Sequence, residues 1–210
     1  RLQVAVGLGR QQPEKLVDML ERIERETARL DELVGQLLTL SRLEARVDNE
    51  HEESIDLAAL LNEVVEDARF EAEASEREVS LAIDGEPVIT GKPELLRRAF
   101  ENVIRNAVRY TRPQTRVTIE AEADRDSGKF VIRVCDQGPG VDSAELGQIF
   151  EPFVRVGEST GGGRGGYGLG LAIAKRAVNA HGGEVEASNR EGGGLCISLR
   201  LPLADQESAD

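Results

Sequence analysis

Tryptophan is absent from this chain, and Phe and Tyr together bring the aromatic share to only 3%. Any core must therefore be assembled from Leu, Val, Ile and Ala, which a hydrophobic content of 40% is enough to supply. Cations are outnumbered, with 26 Lys and Arg against 39 Asp and Glu and a formal charge of -13. That balance argues against nucleic acid as a partner, because phosphate neutralisation needs clustered Lys and Arg. Long apolar runs are also missing, none approaching the roughly 18 to 20 residues that span a bilayer. No signal-peptide pattern is present. The opening Arg1-Leu-Gln-Val-Ala-Val carries no initiator Met, so the sequence is expected to be a fragment of a longer protein whose membrane anchor lies upstream. Cysteine is scarce: Cys135 and Cys196 each sit in an apolar alternating run. They read as small buried side chains in a reducing compartment, with no metal or disulfide role expected.

What is present divides into four stretches: 1–46, 47–54, 55–204 and 205–210. In the first, Leu16, Leu20, Ile23, Thr27, Leu30, Val34, Leu37 and Ser41 recur at spacings of four and three, a heptad seam between charged positions. Leu2, Val4, Val6 and Leu8 suggest the end of an earlier helix, and Gly9 to Pro13 a turn into the next. A seam of this length finds nothing in the chain to bury it, so a homodimeric four-helix bundle is the economical solution. A helical subdomain packed on its own neighbour is the alternative. Residues 47–54 are polar and aperiodic, a linker.

From Ile55 the pattern changes to that of an α+β domain. Asp56 can cap a helix running to about Ala74, and another follows Pro93 to Tyr110. Strand patterns occur at Val79 to Ile83, Val117 to Ala121, Phe130 to Val134, Glu184 to Ser188 and Leu195 to Leu201. A short helix is expected near Asp142 to Phe150, and a further one from about Gly168 to His181. Several strands follow one another directly. That order favours a two-layer sandwich, a mixed sheet covered on one face by helices, over a doubly wound fold.

Four motifs carry the chemistry. On the helix ending at Tyr110, Asn102 and Asn106 are four apart and share a face, with Arg105, Arg109 and Tyr110 close to it. Amide oxygens suit Mg²⁺, guanidinium groups suit polyphosphate, and a Tyr ring can stack on a base. The same residues would also serve as the solvated side of an amphipathic helix. Second, Asp136-Gln-Gly138-Pro-Gly140 follows a strand. An ionised Asp accepts hydrogen bonds only, so it can hold the exocyclic amine of adenine but not the oxygen of guanine; by itself this motif also fits a plain turn. Third, Phe150-Glu-Pro-Phe153 opens a stretch from Val154 to Gly165 with glycines at 157, 161, 162, 163 and 165. It reads as a binding lid or a disordered connection. Phe150 and Phe153 would anchor its near end, and Arg155 and Arg164 would reach phosphates. Fourth, Gly166-Tyr-Gly168-Leu169-Gly170-Leu171 leads into a helix, where backbone N–H groups form an anion site.

In this order the four motifs resemble the N, G1, F and G2 boxes of the bacterial histidine kinases, whose fold is shared with gyrase, Hsp90 and MutL. Ile23 to Glu44 is similar to the second dimerisation helix of that family. Glu101-Asn102, Arg105-Asn106-Ala107, Arg109-Tyr110 and Phe70-Glu-Ala-Glu are closest to envelope-stress sensors of the Cpx type. The resemblance implies ATP and Mg²⁺ as cofactors, with Asn102 and Asn106 on the metal, Arg109 on phosphate and Tyr110 beside an adenine held by Asp136. Gly138, Gly140, Phe153, Arg155, Gly166, Gly168, Leu169, Gly170 and Leu171 would complete the nucleotide site. It further implies γ-phosphoryl transfer to a histidine and then to a response-regulator aspartate, at the cytoplasmic side of a bacterial inner membrane. The membrane contact would run only through upstream segments.

The chain departs from that family in its histidines. Only His51 and His181 are present. His51-Glu52 imitates the start of an acceptor box, yet Asp56 stands in the Pro position, and the acceptor is expected upstream of Arg1. His181 precedes two glycines at a helix end, where a cationic or capping role is expected. The family's Gly-x-Gly-Thr reads Gly192-Gly193-Gly194-Leu195, which removes a hydroxyl contact. Two rival readings are an ATPase of the gyrase or MutL class, with Glu101 activating water, and a dimerisation module without kinase activity.

Overall fold

The computed structural model describes residues 13–45, 52–124, 127–156 and 166–203. The expected early helix and turn, His51, Arg164, Gly157, Gly161 to Gly163, Gly165 and the polar tail lie outside the described residues. The chain forms two compact units, Arg1–Thr39 and Leu40–Asp210.

Helix α1 (Pro13–Ala45) starts at the expected proline. Its seam residues Leu20, Ile23, Leu30, Val34 and Leu37 are all about half exposed, and Val17 and Leu38 extend the apolar surface. No helix among the described residues is long and apolar enough to cross a membrane.

The second unit is built on a sheet with the order β2-β4-β5-β7-β6: Glu78–Asp84, Arg116–Asp124, Lys129–Cys135, Leu195–Pro202 and Glu184–Asn189. β2 and β4 pair parallel, and every other neighbouring pair is antiparallel. Period-two alternation sends Val117, Ile119, Phe130, Ile132, Val134, Ile197, Leu199 and Leu201 to one face, all buried. Helices α2 (Leu57–Glu73), α3 (Pro93–Tyr110) and α4 (Gly170–Ala180) contribute the facing core residues, among them Leu61, Phe100, Ile104 and Ala174. Each such Leu, Ile or Phe contributes about 1.5–3 kcal/mol by leaving water. The opposite face of the sheet is polar and carries the Arg133–Glu122 and Arg200–Glu186 pairs. The expected two-layer α+β sandwich is the observed architecture.

The helix boundaries follow local chemistry. Asp56 caps α2, its Oδ1 accepting from the N–H of Ala59 at 3.0 Å. Pro93 starts α3, whose buried positions Leu96, Ala99, Phe100, Val103, Ile104 and Ala107 recur at helical spacing.

Three expectations are corrected, and a fourth, for His181, is narrowed. Glu53 and Ser54, read as linker, begin a short strand β1 (Glu53–Asp56) that pairs antiparallel with β3 (Val88–Gly91), placing Ile55 opposite Ile89. The helix expected at 142–150 is instead a run of turns with one 3₁₀ turn at Gln148–Phe150. There the Asp142 carboxylate takes the N–H of Ala144 at 2.9 Å, competing with helix formation.

Cys135 and Cys196 form a disulfide. They lie 61 residues apart but directly opposite in the β5–β7 register, with Cα atoms 4.1 Å apart. Nothing local in the sequence reveals that register.

Of the two roles expected for His181, cation or cap, the structure shows the cap. Its Nε2 accepts the N–H of Lys92 at 2.9 Å while Nδ1 donates to the carbonyl of Ala177 at 2.7 Å, which requires the neutral ring. The ring thereby ties the end of α4 to the start of α3, and a side chain at Gly91 would collide with it at 2.2 Å. His181→Ala is expected to lower the unfolding free energy by about 1–3 kcal/mol, since the Lys92 donor loses its partner. Urea denaturation of the variant checks this.

Candidate functional site

Asp136 stands where β5 ends and is 3% exposed. Its Oδ1 accepts two backbone N–H groups, from Gly138 at 2.8 Å and from Leu195 at 3.1 Å. No hydrogen bond to Oδ2 occurs among the described residues, so that oxygen keeps its capacity to accept. Burial pushes the carboxyl above the usual range, while the two backbone donors and the Arg190 guanidinium pull it back. Burial prevails.

The backbone around this carboxyl is fixed from three sides. The N–H of Asp136 donates to Leu195 O at 2.9 Å, and Arg190 Nη1 donates to Asp136 O at 3.0 Å. Gln137 N donates to Thr111 Oγ1 at 3.0 Å. Gly194 has φ +108°, and a Cβ there would lie 2.2 Å from Asp136 O. Only glycine fits both the conformation and the space. Asn189 brackets the following turn, accepting from Val141 N at 2.9 Å and donating to Val141 O at 2.6 Å.

The four motifs are linked pairwise, the first to the second, the first to the fourth and the third to the fourth. A side chain on Gly138 would meet Tyr110 O at 2.6 Å, which brings the second motif against the end of α3. Asn102 donates Nδ2 to Arg98 O at 2.8 Å, leaving Oδ1 directed at Gly170, where α4 begins. Arg109 Nη1 would lie 3.2 Å from a Cβ on Gly166, and its guanidinium stands 5.5 Å from the centre of the Tyr110 ring. Asn106 and Tyr110 are half-buried on the same helix. The third and fourth motifs are clasped by a hydrogen bond from Phe153 N to Gly168 O at 2.9 Å. Gly168 has φ +73°, and a Cβ there would meet Val154 O at 2.8 Å.

Other expected residues fall differently. Phe150 is buried under Lys175, whose Nζ is 5.6 Å from the ring centre, and it anchors its segment as expected. Phe153 is 62% exposed, so it holds by its backbone and not by its ring. Arg105 turns away and pairs with Glu71 of α2 at 2.8 Å. Glu101 lines a small cleft between α2 and α3 together with Glu71 and Arg105. Arg155 is exposed. Leu169 is fully buried, Leu171 packs against the core, and Gly140 sits beside Asn189. The α4 helix starts at Gly170, two residues later than expected.

Thr111, Asn189 and Arg190 escaped the sequence reading. They act through backbone geometry, and only the neighbouring glycines hinted at a tight approach.

Asp136→Asn keeps a carbonyl oxygen for Gly138 and Leu195 but removes a buried charge. A raised carboxyl pKa means the folded chain binds the proton more readily than the unfolded one, so the ionised group costs stability at neutral pH. The variant is therefore expected to unfold at a temperature equal to or above that of the parent at pH 7. The gap should narrow as pH falls through the raised value. Thermal unfolding across pH 4 to 8 checks both.

Residues 91–205 match the family described as histidine kinase-, DNA gyrase B-, and HSP90-like ATPase. The sensor histidine kinase CpxA of Escherichia coli (strain K12) is 37% identical over 204 residues, covering 97% of this chain and 43% of that protein. The chain thus spans less than half the length of that relative. Full-length ShkA in complex with AMPPNP aligns with a TM-score of 0.77 at 29% identity, over 90% of this chain and 39% of that one. The mycobacterial sensor histidine kinase MprB aligns with a TM-score of 0.64 at 29% identity, over 72% of this chain and 98% of that one.

Proposed function

The chain belongs to the histidine kinase-, DNA gyrase B-, and HSP90-like ATPase family, and from that premise we propose that it is the kinase core of a two-component sensor histidine kinase, binding ATP and transferring its γ-phosphoryl group to a histidine. The observation that carries this reading is Asp136: a buried carboxyl with Oδ1 saturated by backbone donors and Oδ2 free to accept. Such an oxygen suits the exocyclic amine of adenine and opposes the oxygen of guanine. The ShkA complex holds AMPPNP, an ATP analogue, which supports ATP as the ligand.

In this reading Tyr110 lines the base site, Arg109 and the N–H groups at the start of α4 receive phosphates, and Asn102 and Asn106 hold Mg²⁺. The fit to a hard cation rests on Asn102, whose Oδ1 is left unspent while its amide nitrogen is engaged. A bound Mg²⁺ would neutralise polyphosphate charge. Catalysis by these residues is positioning and charge stabilisation, as is usual for phosphoryl transfer. The attacking imidazole nitrogen forms the new N–P bond as the bridging oxygen leaves with ADP. His181 is engaged at both nitrogens, so the acceptor is another histidine.

The exposure of the described seam residues of α1 supports assembly as a homodimer, with residues 1–46 as the dimerisation and phosphotransfer part, 55–204 as the catalytic part, and a response-regulator receiver domain as the next phosphate acceptor. The working location is the cytoplasmic side of a bacterial inner membrane. A hydrolytic ATPase with Glu101 as its base is disfavoured, because Glu101 lines the α2–α3 cleft beside Arg105 and Glu71.

Isothermal titration of Mg-ATP tests the reading. Binding in a range on the order of micromolar is expected, with GTP not bound at the same concentrations. Asp136→Asn should weaken ATP by roughly tenfold to a hundredfold, the scale of a charged hydrogen bond. Absence of ATP binding by the unmodified chain would reject it in favour of a dimerisation module.

A further inference from the structure

We propose that Cys135 and Cys196 are a reversible redox pair that sets the affinity of the Asp136 site, resting on the reading of that site as the nucleotide pocket. The argument is one of position. Cys135 immediately precedes Asp136, and Cys196 immediately follows Leu195, whose N–H is one of the two donors to the Asp136 carboxylate. The disulfide therefore joins β5 to β7 one step before the contact on which the carboxylate depends.

Beyond that step both strands run into glycine-rich turns, Gln137 to Gly140 on one side and Gly192 to Gly194 on the other. Strand ends next to such turns fray easily, because glycine loses the most conformational freedom on ordering. A covalent link at the last paired position opposes that fraying. Once the link is cut, the approach of Leu195 to Asp136 rests on hydrogen bonds without a covalent tie, Asp136 N to Leu195 O and Leu195 N to Asp136 Oδ1.

The pair is also reachable. Alternation sends Asp136 and Leu195 inward, both buried, and sends both cysteines to the opposite, polar face of the sheet, where each is partly exposed. Their neighbours across that face are Thr118 on β4 and Ser188 on β6. Both are small side chains. Disulfides of proteins in reducing compartments are mostly transient and redox-sensing, which fits the proposed location.

The exchange balances with glutathione as the partner. A glutathione thiolate attacks one protein sulfur and breaks the Cys135–Cys196 bond, forming a mixed disulfide and releasing a protein thiolate that takes up a proton. A second glutathione thiolate attacks the glutathione sulfur of that mixed disulfide and releases the second cysteine as a thiol. Two electrons pass to the protein pair, and two glutathiones leave as their disulfide. Oxidation is the reverse.

The experiment compares the chain after oxidation by glutathione disulfide with the chain after reduction, counting free thiols by maleimide mass labelling and titrating Mg-ATP into each. No free thiols when oxidised, both cysteines labelled when reduced, and a dissociation constant that rises roughly fivefold or more on reduction are expected. The Cys135→Ser/Cys196→Ser variant should bind like the reduced chain whatever the redox treatment. Thiols that remain free under oxidation, or equal affinities in the two states, would overturn the proposal while leaving the nucleotide reading intact. Loss of ATP binding in both states, with thiols still switching, would instead remove the nucleotide reading and this proposal with it.

Discussion

A carboxylate removed from water is tolerated only when the chain surrounds it with hydrogen-bond donors, and the second unit is organised around how Asp136 meets that requirement. Its donors come from two places far apart in sequence, Gly138 just after it and Leu195 on the neighbouring strand. Bringing Leu195 there requires the hairpin of β6 and β7 to turn through three glycines, the last of which lies against the carbonyl of Asp136 with no room for a side chain. The sheet register, the glycine turn and the buried charge therefore depend on one another. The rise in the Asp136 pKa records the remaining cost: burial still outweighs the donors. In the proposed reading a ligand amine at Oδ2 would relieve that cost.

The remaining parts of the site are positioned by helix ends. The α3 helix carries Asn102, Asn106, Arg109 and Tyr110 on one face while Val103, Ile104, Ala107 and Val108 bury the other. Its core packing thus fixes the orientation of its polar face. The α4 helix begins at Gly170, next to Asn102 Oδ1, so a helix N-terminus and an amide oxygen meet at one point. The clasp between Phe153 and Gly168 ties together the two ends of the glycine-rich segment that separates them in sequence. At the opposite end of α3, His181 secures the entry of that helix through its ring.

Much of this was legible in the sequence because the signals were local and periodic. Pro93 to Tyr110, the cap at Asp56 and the alternating strands from Arg116 onward each declare themselves within a few residues. What escaped was either too short or non-local. The β1 and β3 strands span four residues each, below the length at which alternation is distinguishable from chance, and their pairing joins Ile55 to Ile89 across α2 and β2. The disulfide and the Leu195 donor depend on the β5–β7 register, which no local pattern encodes. The expected role of the Phe153 ring failed for a related reason. The sequence shows that an aromatic residue borders the loop but not which way a residue with φ +65° directs it.

The central claim is that Asp136 recognises adenine, and a crystal structure of this chain with Mg-AMPPNP tests it most directly. The account predicts the adenine amine within hydrogen-bond distance of Asp136 Oδ2, about 2.7–3.2 Å. It also predicts the phosphates near Arg109 and the start of α4. An analogue bound with its base elsewhere, or with Oδ2 facing only solvent, would contradict it.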